Sequence, residues 1–292
     1  MEPRIYCGAS SRHIHCENYN FKVGEALKIF GDENPNEMTT WLDLRKCTGT
    51  IDSTSLSLLP AMSYLNITES IIEILPKAFE SLPKLKSIDF RNTKTSINKE
   101  IFEGSKIKQL YLENLSIPDD CFYHLKSLDN LTFENCKLKK FDASTLSNLE
   151  YLSFQKCQIE VLDDFHSCIQ KLENLFIMEN KIGEINFKAI LKLINLKWLA
   201  RFGNETTSAI NYEEFQKLPK LETILFENSV YKNINFSSFP NLKQVQIGSY
   251  TDIPTDEDNE LMEKLKNLNL VFQLQYCGPP KKIDLTKVMI CA

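Results

Sequence analysis

The chain has 292 residues, 42% of them hydrophobic and 25% charged, with a formal net charge of −5. These are ordinary proportions for a folded protein, and the negative charge, with no basic block or stripe, argues weakly against a general binder of nucleic acid or anionic membranes. No apolar run reaches the roughly 18 residues of a membrane span, and no secretory core follows Met1. Either the chain is cytosolic or a leader has been removed ahead of Met1. Nine cysteines, four of them near the two ends, favour the second reading.

Residues 1–37 read as an N-terminal cap carrying Cys7 and Cys16 and an apolar run through Phe21, Val23, Leu27, Ile29 and Phe30. A segment this small buries little core of its own, so a Cys7–Cys16 bridge is expected within it. From residue 38 a frame recurs. Its first anchors are Leu42, Leu65, Ile88, Leu110, Leu131, Leu152, Leu175, Leu199, Ile224 and Val245, spaced 21 to 25 residues apart. A second anchor follows two residues later in each unit, so both point to one face of a strand. Arg201 alone breaks that second column and predicts an irregular eighth strand. Between strands, Phe79, Phe102, Phe122, Phe165, Phe187, Phe215 and Phe239 recur near one phase. Prolines and glycines there disfavour long helices, so short helical turns with stacked phenylalanines are expected.

Ten registered units of this length resemble an extracellular leucine-rich repeat protein of the typical ~24-residue class. The likeness covers residues 38–275, and it implies an α/β repeat fold. That fold is a horseshoe solenoid with a parallel concave sheet, short irregular convex returns and disulfide-stapled caps. Repeats are expected over 38–254 and a C-terminal cap over 255–292. The family's usual asparagine ladder is degenerate here. Its column reads Cys47, Ser70, Thr93, Leu115, Cys136, Cys157, Asn180, Asn204, Ser229 and Tyr250, which predicts irregular curvature near the fourth and tenth units. In the C-terminal cap, Thr255 to Asp258 resembles a capping box, and Leu261, Met262, Leu265 and Leu268 follow at helical spacing. The alternating run to Tyr276 reads as a last strand, and a Cys277–Cys291 bridge closing a ~15-residue loop would contribute on the order of 3 kcal/mol.

Other candidate sites follow from the frame. Cys136 and Cys157 share a column in adjacent units and read as buried thiols acting as weak donors. The odd cysteine count leaves at least one thiol without an intrachain partner. Cys121, beside Asp119 and Asp120, is the candidate for an exposed thiol or a disulfide-linked dimer. Glycosylation sequons stand at Asn66, Asn114, Asn130, Asn204 and Asn235. His13-Ile14-His15-Cys16 lacks the ligand count of a metal site. Glu113 and Glu134 are rung neighbours with no pocket around them, so neither cofactor nor catalysis is expected. On the open strand face, Tyr151, Phe176, Met178, Trp198, Phe202 and Leu225 should gather into an aromatic patch suited to a protein partner.

The short C-x8-C cap and phenylalanine-rich strands resemble secreted insect leucine-rich repeat proteins, the mosquito innate-immune type closest among them. That resemblance implies a secreted, non-catalytic defence protein, although no heptad run matches the coiled coil of its longer members. A salivary or host-interaction protein, or a receptor ectodomain, is the alternative on the same scaffold.

Overall fold

In the computed structural model the described residues are 4–7, 12–27, 38–162, 169–185, 187–202, 212–227, 234–249, 256–268 and 270–276. Each predicted unit opens with one strand. In chain order these are Trp41–Arg45, Tyr64–Thr68, Ser87–Arg91, Gln109–Glu113, Asn130–Glu134, Tyr151–Gln155, Asn174–Met178, Trp198–Phe202, Thr223–Glu227 and Gln244–Ser249. They pair in parallel within a thirteen-stranded sheet, anchor against anchor, as in Leu131↔Leu152 and Phe133↔Phe154. The ten first anchors are all buried. Each full burial is worth about 1.5–3 kcal/mol, and stacking like residues every ~4.8 Å makes the core continuous. The chain is therefore a parallel-sheet solenoid with few helices.

The ladder reaches further toward the N-terminus than the spacing predicted. Strand His13–Glu17 lies parallel to Trp41–Arg45 with Ile14 opposite Leu42 and Cys16 opposite Leu44, so the expected cap contributes a rung of its own. Arg4–Cys7 then pairs antiparallel to it and forms the sheet edge. That register sets Cys16 against Ile5 and Cys7 against Ile14, and the side chain of Cys7, on which the expected staple depends, lies outside the described part. Of the expected apolar run, Phe21 and Leu27 are buried, but Val23 stands 62% exposed. Ile29 and Phe30 lie outside the described residues.

The returns are short, as expected. They hold 3-10 turns at Lys99–Phe102, Tyr212–Lys217 and Phe236–Ser238 and a single helical turn at Phe187–Ile190. Phe79, Phe102, Phe122, Phe215 and Phe239 are buried. Phe122, Phe133, Phe141 and Phe154 form one aromatic cluster in the middle of the core, with Phe133 and Phe154 stacked at 5.0 Å. Phe165 lies outside the described residues.

Behind the strands from His13–Glu17 to Asn174–Met178 the chain turns through a residue with positive φ. The column is Asn18, Lys46, Glu69, Asn92, Asn114, Asn135, Lys156 and Glu179, with φ between 50° and 59°. For a residue other than glycine that conformation costs roughly 1–2 kcal/mol. A repeated hydrogen bond offsets it, since the amides from Asn18 to Lys156 donate to the last strand carbonyl of the next unit, as in Lys46 N to Thr68 O and Asn135 N to Gln155 O. Asparagine tolerates this region best, which makes Asn18, Asn92, Asn114 and Asn135 the visible trace of the column.

Among the described residues, several rungs of the degenerate ladder still bond the backbone. Asn180 accepts from Cys157 N at 2.8 Å and donates to Phe154 O at 3.0 Å. Ser70 Oγ accepts from Cys47 N, and Thr93 Oγ1 donates to Ser70 O. The cysteines act as the weak donors expected, Cys136 Sγ to Leu112 O and Cys157 Sγ to Gln155 O, each at 3.2 Å. The hydrogen bond shared with the Cys136 thiol, and then burial, push the Cys157 thiol well above its usual range. Asn180→Ala is expected to strand a buried amide and a buried carbonyl. The cost should be about 2 kcal/mol, read as a lowered urea midpoint with an unchanged slope.

At the C-terminal end, helix Asp256–Asn267 buries Leu261 and Leu265 and leaves Met262 and Leu268 exposed. Strand Val271–Tyr276 completes the sheet alongside Gln244–Ser249. Cys277 and Cys291 lie outside the described residues, as do Thr255 and Tyr250.

Candidate functional site

Alternation along each strand fixes what the concave face displays. The anchors point inward, and the residues before, between and after them point outward. Outward positions in the sixth to eighth units are Tyr151, Ser153, Gln155, Asn174, Phe176, Met178, Trp198 and Ala200. The Phe176 ring stands 5.2 Å from Tyr151 and 5.1 Å from Trp198, so the three aromatics run in one line across three strands. Burial is the largest influence on Tyr151 and pushes its phenol up.

The line has a floor. Ala200 and Leu225 are buried, with Phe176 and Met178 packed against them. Leu225, expected as part of the exposed patch, is only 1% exposed, so it supports the strip rather than presenting surface. Trp198 keeps to the concave face, but its indole N–H is buried and makes no hydrogen bond. The side chain of Phe202 lies outside the described part. The irregularity expected at Arg201 is one-sided. Strand Trp198–Phe202 holds full register with Asn174–Met178, whereas its pairing with Thr223–Glu227 stops at Ala200↔Leu225. Arg201 itself is buried, opposite Ile177.

A second concave cluster was legible in the same columns but not singled out. In the first units Trp41 lies 4.0 Å from Tyr64 and 5.5 Å from His13. Asp43 accepts from Trp41 Nε1 at 2.9 Å and Asn66 Nδ2 at 3.1 Å, and pairs with His13 Nε2 at 2.7 Å. Tyr64 donates to Asp89 Oδ2, which also takes Arg91 at 2.7 Å. Burial first, and then the bond to Asp89, push the Tyr64 phenol up. Arg91 lies 3.9 Å over the Tyr111 ring, and Tyr111 donates to Glu134 Oε2. His13 thus serves a carboxylate, and Cys16 points into the core away from it.

Cys121 needs correction. It is fully buried, and burial pushes its thiol far above the usual range. It cannot serve as an exposed thiol or a ready intermolecular bridge, because the return turns it inward like its counterpart Ala78, also fully buried. Of the sequons, Asn114 and Asn235 are exposed, whereas Asn66 and Asn130 are half-buried. The Asn66 amide is engaged by Asp43 and by the sequon's own Thr68 hydroxyl. Asn204 lies outside the described residues. Glu113 and Glu134 are rung neighbours with different partners, Arg91 at 3.8 Å for the first and Tyr111 for the second. Among the described residues no three metal-binding side chains converge, and no helix is long and apolar enough to cross a membrane.

A family model described as "BspA type Leucine rich repeat region" matches in six copies, over residues 16–129, 49–161 and 112–205. Solved structures of similar architecture include an internalin from Listeria monocytogenes, at 18% identity and a TM-score of 0.46, covering 94% of this chain and 83% of that one. A leucine-rich repeat protein of Leptospira interrogans is 19% identical with a TM-score of 0.48, over 77% of this chain and 64% of its own. A plant peptide hormone receptor, solved in complex with RGF2, is 15% identical with a TM-score of 0.48, over 88% of this chain and 47% of its own. No curated protein matches the sequence.

Proposed function

Because this chain belongs to the BspA-type leucine-rich repeat family, whose fold is typical of protein–protein recognition, we propose that it is a non-catalytic binding protein whose partner docks on the concave sheet. The observation that carries this reading is the line Tyr151–Phe176–Trp198, three aromatics in ring contact on an open strand face, with Met178 beside them. Aromatic side chains supply large rigid contact area and dominate measured binding hot spots. An extracellular setting, with an innate-immune role in an insect, is the finer form of the proposal. The extracellular part of it draws on the sequons, and on the exposure of Asn114 and Asn235 in particular.

The test is capture from native extracellular fluid by the full chain, followed by titration of the captured partner. Phe176→Ala is expected to weaken binding by about 2 kcal/mol, or roughly thirtyfold, at an unchanged melting temperature. A partner that binds Phe176→Ala and Met178→Ala as tightly as the parent chain places the site elsewhere. A mass shift on glycosidase treatment of the native protein tests the setting.

A further inference from the structure

The concave face changes character abruptly between two adjacent strands. Across Ser87–Arg91, Gln109–Glu113 and Asn130–Glu134 the outward positions carry three carboxylates, Asp89, Glu113 and Glu134, against one cation, Arg91. That cation is already committed. It bonds Asp89 at 2.7 Å, reaches Glu113 at 3.8 Å and lies over Tyr111. Glu134 receives only the neutral Tyr111 hydroxyl, and no lysine or arginine among the described residues pairs with it. Across the next three strands, Tyr151–Gln155, Asn174–Met178 and Trp198–Phe202, no outward position is charged. The boundary falls between Glu134 and Gln155, which are register partners.

Resting on the concave-face reading above, we infer that the partner presents a polyproline II-like segment with a lysine or arginine about three residues from an apolar side chain. The cation meets Glu134 and Glu113, and the apolar group meets Phe176. The spacing follows from the sheet. Strands lie ~4.8 Å apart, so Glu134 and the Phe176 strand are two steps, or ~10 Å, apart, and a polyproline II segment rises ~3.1 Å per residue and returns to the same face every third residue. The sign follows from charge complementarity. Three carboxylates against one cation leave a site that attracts positive charge and repels an acidic segment. The Tyr111 hydroxyl orients the Glu134 carboxylate, so little ordering is lost when the ion pair forms.

The experiment pans a displayed library of random decapeptides against the full chain, then titrates synthetic versions of the selected sequences. The expected selection is rich in lysine or arginine three positions from an aromatic or aliphatic residue. Glu134→Gln keeps an acceptor for Tyr111 and removes only the charge, and should weaken these peptides about fivefold, as should added salt. Phe176→Ala should weaken basic and neutral peptides alike. Selected peptides that are neutral or acidic, or basic peptides indifferent to both Glu134→Gln and Glu113→Gln, overturn the inference. If such peptides still depend on Phe176, the concave reading stands without the cation; if they depend on neither, both fail.

Discussion

Phe154→Ala is expected to destabilise the solenoid by about 3–5 kcal/mol, the range for emptying a well-packed aromatic site. The ring is fully buried, stacked on Phe133 at 5.0 Å and edge-on to Phe141 at 5.2 Å. Its removal takes away transfer energy and aromatic contacts together. Neighbouring units cannot close the gap, because parallel strands fix their separation on both sides. Equilibrium urea unfolding checks the result. Tyr151→Ala supplies the contrast on the same strand, since the side chain points outward and its loss should cost under about 1 kcal/mol. Equal losses from the two variants would contradict the assignment of faces.

Gly49→Ala is expected to undo the N-terminal end of the molecule. Gly49 has φ +93°, and a Cβ there would lie 2.0 Å from Phe21 O and 2.8 Å from Phe21 N. Both obstacles are backbone, in the strand Asn20–Phe21 that pairs with Thr48–Ile51. Relief requires those strands to part, which exposes Phe21 and breaks the bond from Thr48 N to Tyr19 O. A loss of about 3 kcal/mol is expected from strain and clash combined. It should be accompanied by faster amide exchange at Thr48. Gly24→Ala is the control. Gly24 has φ +75° with nothing within 4 Å of the added Cβ, so only the backbone strain of about 1 kcal/mol applies.

The repeat was legible because burial imposes a chemical demand at every rung. A position facing the core must be apolar, and ten of them spaced by one turn leave an unmistakable trace. The positive-φ column was hidden for the opposite reason. It constrains backbone geometry rather than side-chain chemistry, so Lys46, Glu69, Lys156 and Glu179 occupy it beside the asparagines. Cys121 shares the column of Ala78 on the return, beside the exposed Asp119 and Asp120, and that setting reads as outward until burial of both Cys121 and Ala78 shows the column turned into the core. On the concave side, alternation told which residues share the face. It did not tell that Leu225 and Ala200 would sink beneath Phe176 and Met178, because depth within a curved sheet depends on the sizes of neighbours on adjacent units, far apart in sequence.

The strands behind the main sheet make two separate ribbons. One joins Asn20–Phe21, Thr48–Ile51 and Ile71–Ile74, and the other runs from Ser116–Ile117 through Lys137–Lys140 and Gln158–Leu162 to Lys181–Ile185. Between them the third unit has no such strand, and the Thr93 and Thr95 hydroxyls bond to each other instead. Mechanically, the horseshoe is two stiff arcs joined by a softer joint, where a single sheet carries the load. Bending or pulling along its length would concentrate there, between the polar cluster around Trp41 and the rest of the concave face.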